Sequence, residues 1–119
     1  MGERPARRLN GRVAVVTGGA QGIGFGIAKR LAQEGAAVVI ADIKEQAAKG
    51  AAAKLCACGA PASGVGVDIG DDASVAALAT FIEAKHGRCE ILVNNAAISD
   101  GTGIEKMTMQ RYHEVVRVN

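Results

Sequence analysis

The sequence predicts an α/β fold: a doubly wound parallel sheet with helices packed on both faces. Three observations carry this. The apolar runs Val13-Ala14-Val15-Val16, Ala37-Val38-Val39-Ile40-Ala41 and Ile91-Leu92-Val93 are continuous rather than alternating, as in strands buried on both sides. Stretches of helical periodicity separate them, in the order β-α-β-α-β-α-β-α. The connections are short. Right-handed crossovers then give the strand order 3-2-1-4, with a switch point between the first and fourth strands. Ligands of such sheets bind there, beyond the carboxyl ends of the strands.

The first strand runs into Thr17-Gly18-Gly19-Ala20-Gln21-Gly22-Ile23-Gly24. Nothing before Ile23 in this bend is bulkier than Gln21. Such a bend brings backbone N–H groups close to an anion, and the helix after it adds its unpaired first-turn N–H groups. This predicts a pyrophosphate site and hence a nucleotide cofactor. In that helix Ile23, Ile27 and Leu31 recur at every fourth position, with Lys29, Arg30 and Glu34 elsewhere and Gly35 as the stop. Gly22 and Gly26 lie on one face, where they are expected to let the helix approach the sheet.

The second strand ends at Asp42, and an Ala-rich helix follows from Lys44 to Cys58, with Ala48, Ala52 and Leu55 inward and Gly59 and Pro61 as the stop. Ser63 to Val67 reads as a third strand weakened by Gly64 and Gly66, ending at Asp68-Ile69. Asp71 or Asp72 caps a third helix that turns Val75, Leu78 and Ile82 inward and stops near Gly87. Glu90 to Val93 is the fourth strand, running into Asn94-Asn95-Ala96-Ala97. A loop from Ile98 to Met107 leads to a last helix capped by Thr108, with Tyr112, Val116 and Asn119 on one face.

Composition narrows the function classes. A length of 119 residues suits one domain, read as a flexible arm over residues 1–10 and a nucleotide-binding domain over 11–119. The net charge is only +2, and the basic excess sits in Arg4, Arg7, Arg8 and Arg12, read as a solvated tail before the first strand. With three aromatic residues there is no stacking surface for nucleic acid. No apolar run is long enough to cross a membrane. Cys56, Cys58 and Cys89 have neither zinc-knuckle nor thioredoxin-like spacing, so no metal site is expected. They read as buried or half-buried free thiols in a reducing cytoplasm. His86 and His113 read as surface residues on helices.

The turn pattern T-G-x-x-x-G-x-G (Thr17, Gly18, Gly22, Gly24) resembles the fingerprint of the short-chain dehydrogenase/reductase family, whose fold is Rossmann-type. Asn94-Asn95-Ala96-Ala97 resembles that family's N-N-A-G, with Ala97 in place of Gly. The last helix, ending Val118-Asn119, is similar to the family's Val-Asn helix, with Tyr112 where relatives carry Trp. The resemblance implies that Gly18, Gly22, Ile23, Gly24, Asn95 and Ala96 contact a nicotinamide cofactor. It implies that Asp68 and Ile69 contact the adenine. Asn119 would be the catalytic Asn that holds a water linked to the active-site Lys.

Asp42, at the end of the second strand, can accept hydrogen bonds from both adenosine ribose hydroxyls and would repel a 2′-phosphate. Ile43 and Gly19 offer no arginine to such a phosphate, so the expected cofactor is NAD. The family's Tyr-x-x-x-Lys is absent: the single Tyr is Tyr112, and four residues on stands Val116. The resemblance covers residues 11–119 and only the first half of the family's fold. It therefore implies a sheet truncated after the fourth strand and its helix, a fragment of a homo-oligomeric oxidoreductase acting on an alcohol or ketone. The alternative is a catalytically inactive nucleotide-binding module.

Overall fold

A computed structural model describes residues 7–96 and Val116. Seven elements follow one another: β1 (Val13–Thr17), α1 (Gly22–Gln33), β2 (Ala37–Asp42), α2 (Glu45–Ala57), β3 (Ala62–Gly66), α3 (Asp72–His86) and β4 (Ile91–Val93). All strand pairs are parallel and the order is β3-β2-β1-β4. Val15 sits between Val39 and Leu92, so the central strand is bonded on both sides. The expected loop after Ala97 and the helix capped by Thr108 lie outside the described residues, apart from an exposed Val116.

Side chains of successive strand residues point to opposite faces, and in β1 and β2 both faces are covered. Ala14, Val16, Val38 and Ile40 pack against α1 and α2. Val15, Val39 and Ala41 pack with Val67 and Leu78 on the α3 side. This two-sided burial is the cause of the unbroken apolar runs of β1 and β2; β4 departs from the expectation, with Leu92 59% exposed and Ile91 and Val93 half-buried at the edge of the sheet. The switch point between β1 and β4 falls where the chain order predicts it.

The helix faces are partly reassigned. In α1 the buried residues are Gly24, Ala28 and Ala32; Ile27 and Leu31 are half-buried, and Ile23 is 79% exposed. The four-residue apolar repeat tracks the border of the buried face rather than its centre. Gly22 and Gly26 do not provide the close approach, since a Cβ at either meets nothing within 4 Å. Val75 of α3 is likewise exposed, whereas Leu78 is buried. The cap of that helix is Asp71, whose carboxylate accepts the Ala73 N–H at 3.1 Å. Gly64 does not merely weaken β3: a Cβ there would lie 2.4 Å from the Ala48 carbonyl, so the glycine lets α2 press onto the sheet.

Several polar expectations change as well. Cys56, Cys58 and Cys89 are all exposed, because each stands at a helix end or in a connection, outside both core clusters. His86 is half-buried, with its Nε2 enclosed. Glu34 is buried rather than on the polar face of α1. Its carboxylate takes the Arg8 guanidinium and backbone N–H at 3.2 Å and pairs with Arg30 at 2.7 Å, tying the segment before β1 to the end of α1. Among the described residues no helix is long and apolar enough to cross a membrane.

Candidate functional site

A cleft of about 450 Å³ opens at the carboxyl ends of β1, β2 and β4, within the ~300–1,000 Å³ range of ligand clefts. Its floor is the turn after β1. Gly18 and Gly22 there take φ of +65° and +60°, values that L side chains resist. The turn then enters α1, whose N-cap Gln21 makes no side-chain capping bond. The first-turn N–H groups of a 12-residue helix are thereby left to a ligand.

Gly24 is where α1 meets the strand ends. A Cβ on it would stand 2.2 Å from the Gly18 carbonyl oxygen and 2.5 Å from Asn95 Nδ2. The sequence places Gly24 among the cofactor contacts. The structure buries it beneath the turn, where it sets how close α1 comes to the sheet. Ile23 also lies off the lining, facing outward. Gly18, Gly22, Asp42, Asp68, Ile69, Asn95 and Ala96 do line the cleft. Asn119 lies outside the described residues.

Asp42 closes one end. Its Oδ2 accepts the Ala20 N–H at 3.3 Å and its Oδ1 accepts the Lys44 N–H at 3.0 Å. The carboxylate thus bridges the glycine turn to the start of α2 and is oriented before any ligand arrives. Asp68 is shaped by its own turn: Oδ1 accepts the Gly70 N–H at 2.9 Å, and its N–H donates to Ser74 Oγ at 2.9 Å.

The opposite wall is β4 and the residues after it. Asn95 Nδ2 donates to the Gly18 carbonyl at 3.1 Å. Thr17, buried at the end of β1, accepts the N–H groups of Asn95 and Ala96, each at 3.1 Å, and donates its hydroxyl proton to the Val93 carbonyl at 3.2 Å. Sequence reasoning used Thr17 only as a letter of the motif and missed this role. It also missed Lys44 and Ala47 on the lining. Lys44 was legible in principle, as it closely follows the strand-end carboxylate that the sequence singles out.

Comparison with known proteins agrees with this geometry. A family model described as short chain dehydrogenase matches residues 12–119. Galactitol 2-dehydrogenase of Agrobacterium fabrum is 43% identical over 112 residues, which cover 94% of this chain and 43% of that enzyme. D-threitol dehydrogenase of Mycolicibacterium smegmatis is 37% identical over 112 residues, with the same two shares. A crystal structure of a metagenomic short-chain oxidoreductase in complex with NADP superposes with a TM-score of 0.88 at 35% identity. It covers 93% of this chain and 51% of that one. The chain therefore spans less than half the length of these curated relatives.

Proposed function

The chain belongs to the short-chain dehydrogenase family, and from that premise we propose that it is the cofactor-binding part of an NAD-dependent oxidoreductase acting on an alcohol or ketone. The observation that carries the cofactor reading is the Asp42 carboxylate, held at the mouth of the cleft by the Ala20 and Lys44 N–H groups. A carboxylate fixed there takes ribose hydroxyls and disfavours a third phosphate.

The residues present fit a dinucleotide. The N–H groups at the start of α1 and the glycine turn would hold the pyrophosphate. Asp42 would take the adenosine ribose, and Asp68 and Ile69 the adenine. Asn95 and Ala96 would bound the nicotinamide side. The cofactor supplies hydride transfer when bound. This chain's part is to orient it, and Asn119 would support the proton path by holding a water. The substrates of the two polyol-dehydrogenase relatives make small polyols the first class to assay. A full-length form is read as a cytoplasmic homo-oligomer.

The second reading is a module that binds the cofactor without turnover. Fluorescence titration with NADH and NADPH tests the first reading. NADH should bind more tightly, and Asp42→Ala should erode that preference by about tenfold, the worth of one or two hydrogen bonds to a charged group. Tighter NADPH binding by the unmodified chain would refute the assignment of Asp42. Turnover of a polyol by a chain that also carries Tyr-x-x-x-Lys, against binding alone by residues 1–119, separates enzyme from module.

A further inference from the structure

We infer that a second cleft, at the amino ends of the strands, binds a multivalent oxyanion of the phosphate class. A cavity of about 360 Å³ lies there, bounded by Val13 and Ala37, which begin β1 and β2, and by Pro61, which precedes β3. That size is within the ~300–1,000 Å³ range of ligand clefts. It shares no lining residue with the cleft at the carboxyl ends. Arg7, Arg12, Lys85 and Arg88 line it, and no carboxylate does. They come from the segment before β1, the last turn of α3 and the connection to β4. The fold thus gathers cations that are distant in the chain onto one concave wall, which raises its positive potential.

The acid beside this wall is Glu90, and it is already engaged: it pairs with Arg88 at 2.6 Å and accepts the Val13 N–H at 2.7 Å. Lys85 is positioned by a neutral partner, Ser63 Oγ at 2.8 Å, which leaves its charge unbalanced. Arg7 and Arg12 take part in no ion pair among the described residues. A second observation points to a ligand. His86 lines the same cavity, and its Nε2 is enclosed without a hydrogen-bond partner among the described residues. Enclosed polar atoms are paired in the large majority of cases. A water molecule would satisfy the nitrogen but leave the charges of Arg7, Arg12 and Lys85 unopposed. An oxyanion answers both, since the imidazole with its proton on Nε2 donates to it and the cations neutralise it.

The probe is sodium pyrophosphate, titrated calorimetrically into the whole chain with excess NADH present to occupy the glycine turn. Sodium chloride at matched ionic strength is the reference for screening alone. Pyrophosphate should saturate a single site. Replacing Arg7 and Arg12 together by Met should weaken it about tenfold, the scale of two exposed ion pairs. His86→Phe keeps the ring and removes the donor. It should weaken pyrophosphate about tenfold, the worth of a hydrogen bond to a charged group, and leave the melting temperature without pyrophosphate undiminished. Lys29→Met with Lys49→Met, the same charge change away from the cavity, should alter binding less than twofold. Heat no greater than with chloride, equal weakening by the lysine pair, or full pyrophosphate affinity in either the arginine pair or His86→Phe overturns the inference. The cofactor reading fails separately: a chain that binds no NADH still carries this anion site if the arginine and histidine variants weaken pyrophosphate as stated.

Discussion

The hydroxyl of Thr17 accepts the backbone N–H of Asn95 at 3.1 Å. With the matching bond from Ala96 and the one it donates to Val93, this buried side chain closes the switch point. It fixes the wall after β4 against the turn after β1. The width of the cleft depends on it, although Thr17 is not on the lining.

Replacing Thr17 with Val removes the acceptor while keeping the shape. The N–H groups of Asn95 and Ala96 lose their partner in a half-buried setting, a cost of about 1–3 kcal/mol. Urea denaturation should show that loss, and dinucleotide affinity should fall with it. Thr17→Ser, which keeps the oxygen, should retain most of both. A Thr17→Val variant as stable as the parent, with Thr17→Ser destabilised, would show that the methyl packing matters and the hydroxyl does not.

The glycines of α1 should respond in opposite directions to alanine. Gly24→Ala drives a methyl into the Gly18 carbonyl and should cost at least about 1–3 kcal/mol, with the pyrophosphate turn displaced. Gly26→Ala faces open space and relieves a helix interior of its most flexible residue, a gain of about 0.5–1 kcal/mol. Thermal melts of the two variants provide the check. A destabilised Gly26→Ala would mean that α1 lies closer to its neighbours than this packing shows.

Glu34 predicts an acid-dependent component of stability. Its carboxyl is held below the usual carboxylate value chiefly by hydrogen bonds from the Arg8 side chain and backbone, with the charges of Arg8 and Arg30 adding and burial opposing. A carboxylate whose folded value is depressed stabilises the fold above its unfolded value. That stability is lost as pH falls through the folded value. Glu34→Gln should therefore be less stable than the parent near neutrality, and the gap should close on acidification. Glu90 is lowered in the same sense, by the Val13 N–H first and the Arg88 charge further down. The parent will thus retain acid sensitivity of its own, and the informative quantity is the difference between the two proteins. A gap independent of pH would remove Glu34 from the linkage.

Much of this molecule is set by local pattern. Short unbroken apolar runs bounded by turn signals read as sheet strands, and their alternation with helices leaves one economical handedness. The order 3-2-1-4, the cap at Asp71, the glycine turn and the cleft at the strand ends therefore follow from residues close together in the chain. The tertiary structure decided what depends on contacts between distant residues. Ile23 faces outward while Gly24 bears the contact, because the approach of α1 is limited by the Gly18 carbonyl and by Asn95, 71 positions beyond Gly24. Glu34 is buried because the segment around Arg8 folds over it, and nothing in the periodicity of α1 encodes that cover. The role of Thr17 emerges only when β4 is laid beside β1. Periodicity reports which face of an element is apolar; which residue on that face touches what is fixed by the packing of elements far apart in sequence.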